Sequence, residues 1–486
     1  MECNIRKHDL RQVEIKVAYP LDRSRSSQRY RLELFFFIPP QLGITPGRYS
    51  QSQFYEDLHS YTRFKTPMLS FANLLDPDLP TNPLNRVERQ LGAAARDTRS
   101  IVYELKVLAM VMMSQLREGT RHLRRLGPDR KSATAESNAE VANWLQSLAE
   151  ALARIRRLEN LLQTAAADAE VKTAWRRTDD CMSMHVISRL RAAVNRSQSD
   201  EQATWMQGAR NIMRDELTYR VEAKYMRVRP GNRRLAEAYI HRASLLKKFA
   251  GQALYLSAAS RILVSPARQL VAVMARAIGM AGAVAIAFLA GGMLREKTLG
   301  FAVALVLADI FKDRFKEVAG VFLTPILPAW AADQSGKLVD TSIGRVVGST
   351  REAMRWIHAD ELPKAVSEER NATPLDLAVI GPGAAVARYV KTVRIFTRKI
   401  FAAHERAPAI DEIFRLHMGR FLLRMDEPDE RVPTLNAAGE IVSVHGDRAY
   451  YVDLIIQLRE IGGPDATVQH TRLVLTRRGI LRVESA

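Results

Sequence analysis

The chain has 486 residues, more than one ordinary hydrophobic core accommodates, so about two to four domains are expected. A hydrophobic fraction of 47% excludes wholesale disorder, and a content of only two cysteines, Cys3 and Cys181, excludes a disulfide framework. The formal charge of +19, from 72 Lys and Arg against 53 Asp and Glu, favours an anionic partner: nucleic acid, acidic protein or lipid headgroups.

The N-terminal region, residues 1–75, is predicted to form a β-hairpin. Tyr30, Leu32 and Leu34 alternate with Arg31 and Glu33, which is the period of two that a half-buried strand requires. This strand is expected to span residues 30–38 and to pair with residues 12–19. Residues 1–16 lack the apolar run of a secretory signal peptide, so this region is expected to stay in the cytoplasm.

Residues 86–262 are predicted to form a cytoplasmic helical bundle, after a proline-rich boundary at 76–85. In two long stretches the apolar residues recur every three or four positions, as an antiparallel bundle or a coiled coil requires. These stretches contain Ile101, Leu105, Leu108 and Met112, and then Val141, Leu145, Leu148, Leu152, Ile155, Leu158 and Leu162. Further helices are expected at about 182–195, 201–227 and 233–262.

Residues 269–332 are predicted to anchor the chain in a membrane. No charge lies between Arg276 and Arg295, and a helix over 277–294 would be about 27 Å long, close to the roughly 30 Å of a hydrocarbon core. A second apolar run covers 298–311. We interpret the pair as a tight helical hairpin that crosses the bilayer or lies in one leaflet, followed by an interfacial segment at 318–332. The alternative is a buried pair of core helices.

This segment supplies most of the candidate functional residues. Basic side chains near its ends are expected to reach lipid headgroups: Arg276, Arg295, Lys297, Lys312, Arg314 and Lys316. Small residues at every fourth position form a face for helix packing and homo-oligomerisation: Gly279, Ala283, Ala287 and Gly291. Asp309 is a candidate intramembrane ionisable group.

The C-terminal part is divided into a helical region, residues 345–425, and an antiparallel β region, residues 436–486. A short helix is expected at 350–358 and a basic amphipathic helix at 384–404, with a surface helix packed on its own domain as the equal alternative. The candidate lipid contacts of the basic helix are Arg388, Lys391, Arg394 and Arg398. Strands are predicted at 452–458, 471–476 and 480–484, and a further one at 414–423. Whether the N-terminal hairpin joins this sheet is left open.

The sequence contains no recognised motif of an enzyme, a metal site or a cofactor site. The GxxxxGK[ST], GxGxxG, HExxH, GxSxG and CxxC patterns are absent, and so is zinc-finger spacing. No cofactor or metal is therefore predicted, and a non-enzymatic role is favoured. An active site that is assembled only by the fold would leave no such trace and stays open.

Together these features predict a mainly α fold: a helical bundle with a transmembrane or in-plane hairpin and small antiparallel β segments at both ends, α+β overall. The leading hypothesis is a bacterial-type, membrane-anchored scaffold, adaptor or regulatory protein at the cytoplasmic face of the inner membrane. The alternatives are an oligomeric pore or transport component, and a soluble nucleic-acid-binding protein with a buried apolar helix pair. Anionic membrane lipids are the expected partners, and nucleic acid is the second choice.

Overall fold

The computed structural model describes residues 1–125, 135–196, 204–262, 333–372, 385–463 and 466–485, together with isolated positions between 273 and 306. The strands within these ranges are β1 (Glu2–Lys7), β2 (Gln12–Pro20), β3 (Gln28–Ile38), β4 (Leu58–Phe64), β5 (Tyr255–Ile262), β6 (Gln334–Asp340), β7 (Arg345–Ile357), β8 (Ala385–Ile395), β9 (Ala409–His417), β10 (Asp429–Leu435), β11 (Ile441–Asp447), β12 (Tyr450–Glu460), β13 (Thr467–Thr476) and β14 (Gly479–Ser485).

Twelve of these strands form one antiparallel sheet, in the order β1-β2-β9-β4-β5-β6-β7-β8-β3-β12-β13-β14, and β10 and β11 form a separate hairpin. Pairing is extensive. Strand β3, for example, pairs with β8 along its whole length, from Gln28 opposite Ile395 to Ile38 opposite Ala385. The aromatic and β-branched residues that dominate β3 favour such an extended, half-buried conformation.

The sheet curls until its two edges nearly meet. At the start of β14, the Ile480 N–H donates to the carbonyl oxygen of Leu10, in the turn between β1 and β2, at 2.7 Å. Gly479 has a φ of +147°, and a Cβ at this position would collide with the same carbonyl oxygen, so the close approach requires glycine. The curled sheet has an enclosed inner face and an outer face, and successive side chains point to one and then the other.

The described helices are α1 (Gln51–Asp57), α2 (Phe71–Leu75), α3 (Pro83–Gly92), α4 (Thr98–Arg125), α5 (Ala135–Thr164), α6 (Ala169–Arg196), α7 (Thr204–Glu222), α8 (Arg233–Gly251), α9 (Lys364–Ala372), α10 (Thr397–Phe401) and α11 (Gly419–Leu422). Side-chain caps fix several helix starts. Ser50 and Ser70 form capping boxes at α1 and α2, and Asn232 accepts a hydrogen bond from the Leu235 N–H at α8.

Helices α2 to α8 form a layer in which α4 packs on α3, α6 and α8, while α5 packs on α2, α3 and α7. The apolar stripe of α4 is fully buried in this layer, and one continuous apolar cluster joins the layer to the inner face of the sheet. A smaller cluster lies between the outer face and α9. It contains Phe35, Phe37, Val366, Val386 and Ile455.

Several helices and strands predicted from the sequence are confirmed. The apolar stretches at 101–112 and 141–162 lie in α4 and α5, and the strands predicted at 30–38, 452–458, 471–476 and 480–484 are present. The open question of the N-terminal strand is also answered, because β3 pairs with β12 in the same sheet.

The predicted fold class, a mainly α helical bundle, is wrong because the sheet extends through regions that were interpreted as helical. Residues 350–358 lie mostly in β7, and residues 255–262 form β5. The expected basic helix at 384–404 is mainly β8. Burial alternates along most of β8, but the charged Lys391 stands on the buried face and Val390 stands on the opposite face. The apolar residues themselves therefore do not alternate cleanly, and their spacing also fits a helix. The expected β2–β3 hairpin is wrong too, since β2 pairs with β1 and β9.

The membrane interpretation is also corrected. Over the described ranges, no helix combines the length and the apolar character needed to cross a bilayer. This finding overturns the predicted anchor, the membrane localisation, the membrane scaffold and the pore. The predicted hairpin and the alternative buried helix pair fall almost wholly outside the described residues. So do all the candidate residues of that segment: Arg276, Gly279, Ala283, Ala287, Gly291, Arg295, Lys297, Asp309, Lys312, Arg314 and Lys316.

Candidate anion-binding site

Basic side chains of the outer sheet face and of three helices form a cluster that we call the basic patch. Strand register places the sheet residues on one face. Glu14 of β2 lies between Arg6 of β1 and Arg415 of β9. On the other side of β9, Asp411 lies opposite Arg63 of β4. The helical members come from α4, α6 and α8. The basic patch comprises Arg6, Lys16, Arg63, Arg117, Arg189, Lys247 and Arg415.

Two buried carboxylates balance part of the charge on the sheet side. Glu14 accepts hydrogen bonds from Arg6 at 2.9 Å and from Arg415 at 3.0 Å. Burial alone would raise the pKa of Glu14, but the bonds and charges of these two arginines outweigh it and lower the pKa, so the carboxylate is ionised. Asp411 pairs with Lys16 at 2.9 Å and with Arg63 at 3.7 Å. Each of these two carboxylates thus pairs with two basic side chains.

Two of the basic side chains on the helices have no such carboxylate partner among the described residues. Arg117 of α4 and Lys247 of α8 are exposed, and neither makes an ion pair or a side-chain hydrogen bond with any described residue. Partial burial lowers the pKa of Arg117, and the positive charges of Arg189, Arg63, Arg121 and Arg6 lower it further. Arginine stays protonated even so, so Arg117 is a charged group that its cationic neighbours repel.

Lys247 is repelled by largely the same positive charges as Arg117. Partial burial lowers its pKa, and the charges of Arg117, Arg189, Arg63 and Arg415 lower it further. Helix and sheet cations are therefore close enough to repel one another across the basic patch. An anion placed between them would remove this repulsion.

His185 lies next to the basic patch, one turn before Arg189 on α6. Its Nδ1–H donates to the carbonyl oxygen of Cys181 at 2.9 Å, which leaves Nε2 as an acceptor. Burial lowers the pKa of His185, and the neighbouring charges of Arg189, Lys247 and Arg117 add to this effect beyond what the Cys181 bond offsets. The imidazole is therefore neutral at pH 7 and adds no charge.

Two tyrosines border the basic patch on the sheet side. The guanidinium of Arg415 lies 5.3 Å from the ring centroid of Tyr61 and donates to its hydroxyl at 3.3 Å. Tyr61 packs edge-on against Tyr255, with centroids 6.5 Å apart, and Tyr255 is 38% exposed. These contacts hold Arg415 in a fixed orientation at the edge of the basic patch.

The described residues that were predicted to contact lipid lie elsewhere. Arg388 of β8 donates to Glu33 at 2.7 Å, the Arg394 guanidinium lies 5.3 Å from the Phe396 ring, and Arg398 is exposed on α10. Lys391 is 2% exposed on the inner face, so a lipid contact through this side chain is excluded by its burial. The structure does not bring these four residues together with the basic patch.

Lys391 instead belongs to an ionic network inside the curled sheet. Its Nζ lies 2.6 Å from Glu352 and 2.5 Å from Glu412, while Tyr389 and Tyr19 donate to these carboxylates at 2.7 Å and 2.8 Å. Burial opposes the charge, but the two carboxylates outweigh it and raise the pKa of Lys391. The network is enclosed and is structural.

No pattern in the sequence indicates the basic patch. Arg117 and Lys247 are distant in the chain and stand on separate helices, so the only signal was the excess of positive charge. Nor do the residues described here contain a group of three or more side chains that could hold a metal ion.

Comparison with protein-family models, with curated proteins and with solved structures finds no match. The basic patch is therefore interpreted from its own chemistry.

Proposed function

We propose that this chain binds a compact polyanion, a small ligand that carries several phosphate or phosphate-like groups, at the basic patch. One observation carries the proposal: Arg117 and Lys247 have no acidic partner within the described residues and face the cations of the sheet. Buried or clustered charges are normally paired, so two cations without an acidic partner in such a cluster favour an anionic ligand as the missing partner.

The placement of the cations favours a compact ligand. They come from separate elements, β1, β2, β9, β4, α4, α6 and α8, and the helical and sheet cations act on one another's charges. A phosphate group offers three acceptor oxygens, and arginine can bind two of them at once. One phosphate could therefore contact a helical cation and a sheet cation together, whereas a nucleic-acid backbone is usually followed by a row of cations along a groove.

A further donor is available at Arg63. Its Nε is buried and has no hydrogen-bond partner in the described part of the chain, and its other contact to Asp411 is long, at 3.7 Å. The Nε atom itself is closed to solvent, so a ligand oxygen would contact the exposed part of the Arg63 side chain, which is 19% of it. This supports a ligand position on the sheet side of the basic patch, near Arg63.

Calorimetric titration with inorganic tripolyphosphate tests the proposal. The double variant Arg117→Ala/Lys247→Ala removes the two uncompensated charges. The matched control, Arg233→Ala/Arg234→Ala, removes the same charge from the exposed start of α8. We expect the first variant to bind at least about tenfold more weakly, a loss of about 1.4 kcal/mol, and the control to bind like the parent.

Two results would contradict the proposal. Equal weakening in both double variants would mean that tripolyphosphate responds to net charge and not to the basic patch. Binding of a single-stranded oligonucleotide in the absence of any tripolyphosphate binding would mean that the ligand is an extended polymer.

A further inference from the structure

A second polar site lies near the end of β4, and its lining shares no residue with the basic patch. It is a pocket of about 130 Å³ between α3, α4, the end of β4 and the segment after α10. This volume is similar to that of a roughly 150 Å³ cavity that holds benzene. The polar lining of the pocket includes Lys65, Arg86, Tyr103, Glu104, His404, Glu405 and Arg406.

A hydrogen-bonded chain of three side chains ends at this pocket. His404 Nε2 contacts Oδ2 of Asp340, and His404 Nδ1 lies 2.8 Å from the Tyr103 hydroxyl oxygen. Asp340 is 1% exposed and His404 is 6% exposed, whereas Tyr103 is only partly buried. The order is therefore a buried carboxylate, a buried imidazole and a hydroxyl that borders the pocket.

The proton positions follow from Asp340. Ser342 donates to its Oδ1 through the backbone N–H at 2.9 Å and through the hydroxyl at 2.7 Å. Burial would raise the pKa of Asp340, but the bonds from His404 and Ser342 outweigh it and lower the pKa. An ionised Asp340 requires a proton on His404 Nε2, so in the neutral imidazole Nδ1 accepts from the Tyr103 hydroxyl.

The rest of the pocket is close to electrically neutral. Arg406 forms two hydrogen bonds to Glu104, both 2.6 Å long, and Arg86 donates to Glu405 at 3.0 Å. Lys65, the remaining charged residue of the lining, pairs with Glu2 at 3.2 Å. Each charged side chain of the lining therefore has a partner of opposite sign, which leaves no unpaired charge to attract an ion. The pocket therefore favours a small, uncharged molecule with a polar group that reaches Tyr103.

We propose that this pocket is an acyl-transfer site for small uncharged esters, with Tyr103 as the nucleophile, His404 as the general base and Asp340 as a positioning residue. The arrangement matches the logic of a nucleophile, a base and an orienting carboxylate. Burial raises the pKa of Tyr103, so its hydroxyl is protonated at rest and must lose its proton to His404 during attack.

The reaction balances with water as the only co-reactant. The Tyr103 oxygen bonds to the acyl carbon while its proton passes to His404 Nδ1. The ester C–O bond then breaks, and the leaving alcohol or phenol takes that proton. Water then attacks the acyl carbon and gives one proton to His404 Nδ1. The bond between the acyl carbon and the Tyr103 oxygen breaks, Tyr103 takes the proton back from His404, and a carboxylic acid is released.

The test uses the full chain and p-nitrophenyl acetate. Release of p-nitrophenolate measures turnover, and peptide mass spectrometry after a rapid acid quench locates the acetyl group. Tyr103→Phe keeps the ring and removes the hydroxyl, and Tyr255→Phe is the matched control at an exposed tyrosine outside the pocket. We expect acetylation of Tyr103, loss of about 100-fold in rate in Tyr103→Phe, and parent-like rates in Tyr255→Phe.

The Asp340→Asn variant distinguishes a positioning role of Asp340 in the reaction from a role in folding. It should slow acetylation and change its pH profile, with thermal unfolding followed in parallel, because Asp340 sets the proton on His404. The other charged groups around the pocket, Lys65, Arg86, Glu104, Glu405 and Arg406, are unchanged in this variant.

Acetylation confined to other residues, or a Tyr103→Phe variant as active as the parent, would overturn the proposal. The Arg117→Ala/Lys247→Ala variant should keep esterase activity, so the two proposed sites succeed or fail independently.

Discussion

Lys391 of β8 lies 2.5 Å from Glu412 of β9, although four strands separate β8 from β9 in the sheet. The ion pair therefore crosses the interior of the curled sheet and joins its two sides. Tyr19 also donates to Glu412, so the network ties β2, β8 and β9 together. Because all three side chains are buried, the pair stabilises the curled form only while both partners are present.

Replacing Lys391 by methionine should strongly destabilise the protein. Methionine has a similar length, but Glu352 and Glu412 would be left inside the sheet without their cation. We expect a loss of about 3–5 kcal/mol in the free energy of unfolding, measured by urea denaturation. The triple variant with Glu352→Gln and Glu412→Gln should recover part of this loss. A single variant as stable as the parent would show that the network has no structural role.

The raised pKa of Lys391 predicts that the stability of the protein falls at alkaline pH. The pKa of Lys391 is raised above its ordinary 10.5, so its stabilising effect is fully present below 10.5 and is lost as pH rises toward the folded-state pKa. The stability difference between the parent and Lys391→Met should therefore shrink by about 1.4 kcal/mol per pH unit above that value. Unfolding midpoints at about pH 8 and about pH 11 would show it. A difference independent of pH would argue against a charged Lys391.

The lowered pKa of Asp340 predicts that the stability of the protein falls at acid pH. Its pKa is lowered below the ordinary 3.8, so its contribution to stability is present above 3.8 and is lost as pH falls through the folded-state pKa. Asp340→Asn should be less stable than the parent at about pH 6, and the two should converge at low pH. Urea midpoints at several acid pH values check this, and parallel curves for the two proteins would refute it.

Closure of the sheet depends on Gly479. A Cβ at this position meets the carbonyl oxygen of Leu10, and its φ of +147° is unfavourable for other residues. Gly479→Ala should therefore weaken the contact between β14 and the β1–β2 turn and cost about 1–3 kcal/mol. Hydrogen exchange at the Ile480 amide, which bonds to Leu10, would report the change directly. Gly439, in the β10–β11 hairpin with a φ of +78° and open space around it, is the control for backbone strain alone.

How far the fold was predictable depended on how clearly the apolar residues of a segment repeat with one period. In α4 and α5 the spacing of residues such as Leu105 and Leu108 is helical, although α4 is buried on all sides over residues 107–113. In strand β8 the burial alternates, but Lys391 stands on the buried face, and Val386, Val390 and Val393 fit a helical spacing equally well. The buried charge of Lys391 was also misleading, because a lysine in a sequence is normally interpreted as exposed.

The sites were hidden for a different reason. Tyr103 and His404 are separated by 301 residues, and Arg117 and Lys247 stand on different helices. No local pattern connects such pairs, and their proximity follows only from the packing of the helical layer on the sheet. The net charge of +19 indicated an anionic partner but could not locate its site.

Thermal unfolding of the parent and of Lys247→Glu, each with and without tripolyphosphate, shows whether the basic patch binds a polyanion. Since Lys247 is repelled by its neighbours, we expect Lys247→Glu to unfold at a higher temperature than the parent in the absence of ligand. We expect tripolyphosphate to stabilise the parent and to have little effect on the variant. If Lys247→Glu is instead less stable than the parent and gains as much from tripolyphosphate, the basic patch is not the binding site.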